Sequence, residues 1–308
     1  MKVLIIGLGS IATKHAASLK RIDPDVKLFA LRTKSDQTVD GIRNVTDVQE
    51  IPADVDFVII SNPTSLHAQT IERFVEMGKP LFIEKPLASR LSDAQLAAAA
   101  ISQRSMLAYI AYPLRFHQLL QELKATISPD LGRVEEVSVY NGSYLPNWRR
   151  NMDFRLSYSA DPELGGGVHL DMSHEIDLVY WLFGKPESSR ALLRNKSSLG
   201  IDSYDYANYR LLYPKFCASI VLNYYRSQPC RTIDIVMPDK VIQADVLAGT
   251  IKINGAISYT FSGKLEDMYE AQLRYFIDAI KTGSPVMNNI TEAIDVMNLI
   301  LCEHETEG

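Results

Sequence analysis

The chain has 308 residues, 46% hydrophobic and 22% charged, so it can bury a sizeable core as one large or two ordinary domains. Its net charge of −5 and lack of a basic block exclude nucleic acid as the main partner, and no apolar run is long enough to span a membrane. The three cysteines, Cys217, Cys230 and Cys302, form no C-x-x-C pair, which argues against a disulfide framework or a structural zinc site and fits a cytoplasmic protein.

Val3–Ile6 reads as a short apolar strand, too brief for a signal peptide, that runs into Gly7-Leu8-Gly9-Ser10-Ile11-Ala12. The spacing of Ile11, Ala12, His15, Ala16 and Leu19 predicts a helix after it. Val26–Leu31, Asp56–Ser61, Pro80–Glu84 and Met106–Ala111 predict further strands. A helix runs through Ala68, Ile71, Phe74 and Val75, and Ser92-Asp93-Ala94-Gln95 opens an alanine-rich helix as a capping box. This alternation predicts a parallel, doubly wound sheet.

After about Pro113 the texture changes. Arg115–Ile127 predicts a linking helix, Val134–Tyr144 a strand, and Leu170–Phe183 a helix. The β-rich runs Tyr204–Tyr213, Cys217–Tyr225, Thr232–Met237, Lys240–Val246 and Ile251–Ile253 predict antiparallel pairing, with turn residues at Tyr213-Pro214-Lys215 and Pro238-Asp239. Helices near Leu265–Lys281 and Thr291–Glu303 close the chain. The expected division is an α/β domain over 1–112 and an α+β domain over 113–308.

The turn Gly7-x-Gly9-x-x-Ala12 gives the first domain its chemistry. Gly7 permits a tight turn out of the strand, Gly9 lets a pyrophosphate approach the backbone, and Ala12 lets the helix pack close. Ser10 and Ile11 open that helix, whose N-terminus offers unpaired N–H groups and partial positive charge to phosphates. The pattern predicts NAD or NADP binding. About 20 residues on, an NAD-type site carries an acid for the ribose 2′-OH. The chain has Arg32-Thr33-Lys34-Ser35 there instead, suited to a 2′-phosphate, so NADP is the preferred cofactor over NAD.

Ser61-Asn62-Pro63-Thr64-Ser65-Leu66-His67 and Phe82-Ile83-Glu84-Lys85-Pro86-Leu87 follow in order. With the glycine turn, they resemble the N-P-x-x-x-H and E-K-P segments of the Gfo/Idh/MocA oxidoreductases. Tyr112-Pro113-Leu114-Arg115-Phe116-His117 resembles that family's domain-crossing segment, and Gly165-Gly166-Gly167 with Val168–Asp177 resembles its second-domain glycine run and helix. The resemblance covers nearly the whole chain. It implies a Rossmann-like domain and an α+β domain with a large, mainly antiparallel open sheet. It also implies redox chemistry at a hydroxyl or carbonyl of a sugar, inositol or nucleotide-linked sugar. Homodimers or homotetramers through the sheet are expected, with Tyr206, Tyr209, Tyr224 and Tyr225 as aromatic residues for such a surface to cover.

By the same resemblance Lys85 is the catalytic lysine; an amine is a suitable base where its pKa falls toward neutrality. Asn62, Pro63, His67 and Glu84 join Lys85 on the cofactor. His174 matches the family's H-x-x-D with Asp177, and would bond the reacting oxygen or relay a proton. Asp171, one helical turn away, would share its face and hold a substrate hydroxyl. The interval from Asp171 to His174 is one residue shorter than the family's D-x-x-x-H, which makes His169 a competitor. Tyr112 and Arg115 fall where the chain crosses between domains. Tyr144–Ser159 is the expected specificity loop, with Trp148 to stack on a ring and Arg149, Arg150 and Arg155 to hold an anionic group. No metal is expected.

The leading reading is therefore an oxidoreductase acting on an anionic or nucleotide-linked sugar. Two alternatives keep the fold: a redox-neutral epimerase or glycosidase-type reaction with retained cofactor, and a cofactor-sensing regulator without turnover.

Overall fold

Parallel strands joined by helices form the first part of the computed structural model, which describes residues 1–32, 39–149 and 152–305. β1 (Lys2–Ile6), α1 (Ser10–Ile22), β2 (Lys27–Leu31), β3 (Ile42–Val45) and β4 (Phe57–Ile60) lead into α2 (His67–Phe74). β5 (Leu81–Glu84), α3 (Leu91–Gln103) and β6 (Ala108–Ala111) follow. The strands pair in parallel in the order β3-β2-β1-β4-β5-β6, the doubly wound order of a Rossmann sheet. Every residue of β4, β5 and β6 is buried, as a sheet covered on both faces requires.

The chain then forms α4 (Gln118–Ile127), β7 (Glu136–Tyr144), α5 (Val168–Asp171) and α6 (His174–Phe183). Next come β8 (Ser188–Arg194), β9 (Tyr206–Leu212), β10 (Cys217–Asn223), β11 (Tyr225–Met237), β12 (Lys240–Asp245), β13 (Thr250–Ile253) and β14 (Ala256–Thr260). Two longer helices, α7 (Asp267–Thr282) and α8 (Ile290–Ile300), precede the short β15 (His304–Glu305). The second sheet has the order β14-β13-β12-β11-β7-β10-β9-β8-β15. Its pairing is antiparallel except between β7 and β10 and between β8 and β15. Alternate residues such as Ala218, Ile220 and Leu222 are sealed on one face, while Ser219 and Val221 stand half-buried on the other.

The chain divides into two compact units. Met1–Pro113 joins Leu265–Met297 in one, and Leu114–Lys264 joins the chain from Asn298 in the other. This corrects the reading of 113–308 as a single domain. In the first unit, Phe276 on α7 packs its ring against Phe57, Phe82 and Tyr109 at centroid distances of 5.3, 5.5 and 5.8 Å. Those aromatic contacts hold α7 on the parallel sheet.

Some local expectations also change. The capping box fails: α3 starts at Leu91, so Ser92 already lies inside the first turn, and Arg90 occupies the cap without a side-chain bond. The linking helix starts later, at Gln118, after a 3₁₀ turn over Pro113–Phe116. The helix expected over Leu170–Phe183 is broken, because Ser173, Glu175 and Ile176 donate to carbonyls three residues back and the helix restarts at His174. Tyr209 and Tyr224 belong to the core, and only Tyr206 and Tyr225 keep part of their surface exposed.

Candidate active site

Ile6, Ile60 and Ile83 stand in one rank across β1, β4 and β5. The segments after them, Gly7–Gly9, Ser61-Asn62 and Glu84-Lys85, therefore leave the sheet along one edge, where doubly wound sheets take ligands. Gly7 turns at φ +83°, and a Cβ there would lie 2.9 Å from the Asn62 Cα. Gly9 caps α1 in extended conformation with no side chain bonded to the first turn. A Cβ on Gly9 would meet nothing within 4 Å, so the space over the turn is open to a phosphate. Ser10 and Ile11 begin α1, and Ala12 is fully buried.

A cleft of about 600 Å³ opens on this edge, lined in part by Gly7, Asn62, Pro63, Arg32 and Arg73. Guanidinium groups from the end of β2 and from α2 suit an anionic nucleotide. The open turn and the cationic cleft thus fit a dinucleotide. Arg73 carries no motif; only the fold brings it to the cleft that Arg32 lines. Thr33 and Lys34 lie outside the described residues.

Lys85 follows β5 and is half-buried. Glu84 before it is 8% exposed, and its carboxylate accepts from His15 Nε2 at 2.5 Å and from the Lys85 N–H at 3.3 Å. His67 is 1% exposed, with Nδ1 3.0 Å from the Pro86 carbonyl and Nε2 2.9 Å from that of Asn62. Burial pushes the His67 pKa down, so the ring is neutral and donates to one carbonyl at a time. The sequence reading puts Glu84 and His67 on the cofactor. The structure turns their polar atoms inward, because each has protein partners at hydrogen-bond distance.

The second unit holds the other candidates. Asp171 ends α5, and its Oδ2 accepts the Tyr224 hydroxyl at 2.5 Å. The Tyr158 hydroxyl bonds the same carboxylate. Burial, reinforced by the Asp171 charge, raises the pKa of both phenols, so they remain proton donors. His174 opens α6, with Nε2 3.4 Å from Glu175 Oε1. Asp171 and His174 thus sit on separate helices, which corrects the expectation of one shared helical face. Fully buried Glu175 also meets Arg231 at 2.6 Å and Asn141 at 2.7 Å. Burial alone would raise its pKa; Arg231, His174 and Asn141 outweigh that and hold it at about 2. A permanent carboxylate therefore adjoins His174 and can orient its ring.

Three expected substrate contacts are interior groups. Tyr112 is 1% exposed. Arg115 is 3% exposed and binds Asp177 through two bonds, Nε to Oδ2 at 3.1 Å and an Nη to Oδ1 at 2.7 Å. His169 packs its ring edge-on to Tyr204 at 5.3 Å; burial, helped by the charge of His304, lowers its pKa to about 4. The structure places all three side chains in the interior.

The expected specificity loop joins the Asp171 cluster. Tyr144 ends β7 opposite Tyr225. Trp148 is exposed, donates Nε1–H to Ser143 Oγ at 3.0 Å and meets Tyr224 edge-on at 5.3 Å. Arg149 lies over the Tyr158 ring at 4.9 Å, and exposed Arg155 stands 3.7 Å from Asp153. The glycine run locks this loop to α5: a Cβ on Gly166 would lie 2.1 Å from the Tyr158 carbonyl oxygen. Arg150 lies outside the described residues. Tyr158, Tyr224, Arg231 and Asn141 escape sequence reading, since they reach Asp171 and Glu175 only through strand pairing and loop packing. Their one available signal is residue type: a polar Asn141, Tyr224 or Arg231 in a β-rich run, and Tyr158 in the loop before the glycine run.

The family model described as an oxidoreductase family with an NAD-binding Rossmann fold matches residues 1–112, and the GFO/IDH/MocA C-terminal domain matches residues 120–238. A relative, the scyllo-inositol 2-dehydrogenase (NAD(+)) of Bacillus subtilis, is 23% identical over 96% of this chain and 91% of its own length. Among solved structures, UDP-N-acetylglucosamine 3-dehydrogenase from Acidithiobacillus ferrooxidans superposes with a TM-score of 0.79 at 22% identity, covering 98% of this chain and 96% of the other. A levoglucosan dehydrogenase in complex with NADH gives 0.85 at 16% identity, covering 97% and 95%. The chain belongs to the GFO/IDH/MocA family of NAD(P)-dependent oxidoreductases.

Proposed function

We propose that the protein transfers a hydride between nicotinamide and a carbinol or carbonyl carbon of a sugar or cyclitol. The observation that carries this reading is the shared sheet edge of Lys85 and the Gly7–Gly9 turn. The nicotinamide supplies or accepts the hydride. Lys85 takes the hydroxyl proton in oxidation and returns it in reduction. His174 hydrogen-bonds the reacting oxygen, Asp171 accepts from a substrate hydroxyl, and Trp148 offers a face for a sugar ring. The relatives that act on inositol and the neighbours that act on levoglucosan and a UDP-linked sugar support this substrate class.

Two finer assignments complete the proposal. Arg32 and Arg73 in one cleft favour NADP over NAD. An anionic or nucleotide-linked substrate would place its charge toward Arg149 and Arg155, because Arg115 and Arg231 are engaged by buried carboxylates. The half-buried second face of the large sheet suits a homodimer or homotetramer.

The test is a screen of nicotinamide absorbance in both directions, with inositols, neutral aldoses, uronates and UDP-sugars, each with NADP and NAD. Lys85→Met should remove turnover by about 10²-fold or more while leaving nucleotide affinity within about twofold. Near-normal turnover in that variant would overturn the role of Lys85. A kcat/KM ratio near one, or favouring NAD, would overturn the NADP assignment. Cofactor that survives purification, without net turnover, would point to the redox-neutral alternative.

A further inference from the structure

Lys85 lies between two residues that are each tied down by a buried histidine. His15, on α1, is fully buried and holds the Glu84 carboxylate at 2.5 Å. That carboxylate in turn accepts the Lys85 backbone N–H. His67, on α2, reaches the carbonyl of Pro86 at 3.0 Å and that of Asn62 at 2.9 Å. One imidazole thus comes from the helix after β1 and the other from the helix after β4. Both rings are buried, so neither faces solvent.

We propose that His15 and His67 are positioning residues that fix the main chain on both sides of Lys85 and so set where its Nζ stands. The inference rests on the reading of Lys85 as the acid–base group. The physical case for histidine is specific at position 15. The ring packs edge-on to Phe82 at 5.0 Å and Tyr269 at 6.1 Å, yet must also deliver one hydrogen bond to a carboxylate. Phenylalanine would fill the pocket without that bond. Glutamine would restore a donor near the Nε2 position while packing less well. A packing role therefore ranks Phe above Gln, and a positioning role ranks Gln above Phe. At position 67 the neutral ring donates to the Pro86 or the Asn62 carbonyl, one at a time, so its loss removes the donor on the far side of Lys85. A displacement of about 1 Å at a reacting group costs on the order of 10²-fold in rate.

The experiment uses His15→Phe, His15→Gln, His67→Phe and Lys85→Met in the full chain. Lysines are reductively methylated with ¹³C-formaldehyde, and the Lys85 resonance is assigned by its loss in Lys85→Met. The expected result is a shifted or broadened Lys85 resonance in His15→Phe and His67→Phe, a near-native one in His15→Gln, and other lysine resonances unchanged. A Lys85 resonance unmoved in both Phe variants overturns the proposal, as does a native signal in His15→Phe with a perturbed one in His15→Gln. If His15→Phe fails to fold while His15→Gln is native with an unmoved Lys85 signal, the donor role stands against the packing role. Turnover separates this proposal from the reading beneath it. If Lys85→Met stays active, Lys85 is not the acid–base group, whatever the spectra show. If Lys85→Met is inactive and His15→Phe keeps full kcat, His15 does not position Lys85. Both ideas together require kcat to fall about 10- to 100-fold in His15→Phe with NADPH affinity unchanged. They also require no further loss when His15→Phe is added to Lys85→Met.

Discussion

Tyr224 donates its hydroxyl to Asp171 at 2.5 Å, and both residues are nearly sealed from solvent. With Tyr158 on the same carboxylate, Asp171 is held by two phenols, and Trp148 rests against one of them. Tyr224→Phe keeps the ring and removes one bond to a charged group. It should cost about 1.5–3 kcal/mol in chemical denaturation. It should also lower kcat/KM for the sugar while nucleotide binding is unaltered. No change in either quantity would mean that the Tyr224 hydroxyl does not hold Asp171.

The Arg115–Asp177 pair is both buried and bidentate. Arg115→Met would remove both of these bonds from the buried Asp177 carboxylate and should destabilise the protein by about 3–5 kcal/mol. Replacing both residues, Arg115→Met with Asp177→Leu, should recover most of that loss. Equal damage from the single and double variants, read by urea midpoint, would refute this account.

Acid should weaken the fold in two successive windows. Folding lowers the His169 pKa from 6.5 to about 4, so its contribution is complete above about pH 6.5 and is lost as pH falls toward 4. Folding lowers the Glu175 pKa from 4.5 to about 2, so its contribution is complete above about pH 4.5 and is lost as pH falls toward 2. Each shift corresponds to about 3 kcal/mol. His169→Gln should flatten the stability curve between about pH 6.5 and 4 and leave the lower window in place. An unchanged slope in that variant would count against a neutral, buried His169.

The two glycines of the first turn should part company. Gly7→Ala meets backbone atoms of Asn62 and forces an L residue to positive φ, so it should lower Tm and nucleotide affinity together. Gly9→Ala meets no protein atom within 4 Å, so it should leave Tm unchanged and weaken nicotinamide-nucleotide binding alone. Fluorescence titration beside a melting curve separates the two effects. A Gly9→Ala protein that binds the nicotinamide nucleotide normally would place the pyrophosphate elsewhere.

The parallel sheet is legible from sequence because fully buried strands such as Phe57–Ile60 read as unbroken apolar runs between amphipathic helices. β3 escapes because Ile42-Arg43-Asn44-Val45 offers only two apolar positions, and its place at the sheet edge comes from pairing with β2. The glycine turn and Lys85 are local features, visible as strings. The partners of Glu84, Asp171 and Glu175 are not local. His15 lies 69 residues from Glu84, and Tyr224 lies 53 from Asp171. Residue type marks these groups as polar, but only tertiary packing decides whether a carboxylate meets a ligand or another side chain.

The return of α7 to the first unit has a consequence for biosynthesis. Phe276 completes an aromatic cluster whose other rings, Phe57, Phe82 and Tyr109, leave the ribosome more than a hundred residues earlier. At about 5–20 residues per second, those rings await their cover for roughly 10–45 s. During that interval the nascent nucleotide-binding region exposes an apolar sheet face, which makes it a client for chaperones. A fragment ending near Pro113 should for the same reason be a poor stand-in for the cofactor domain.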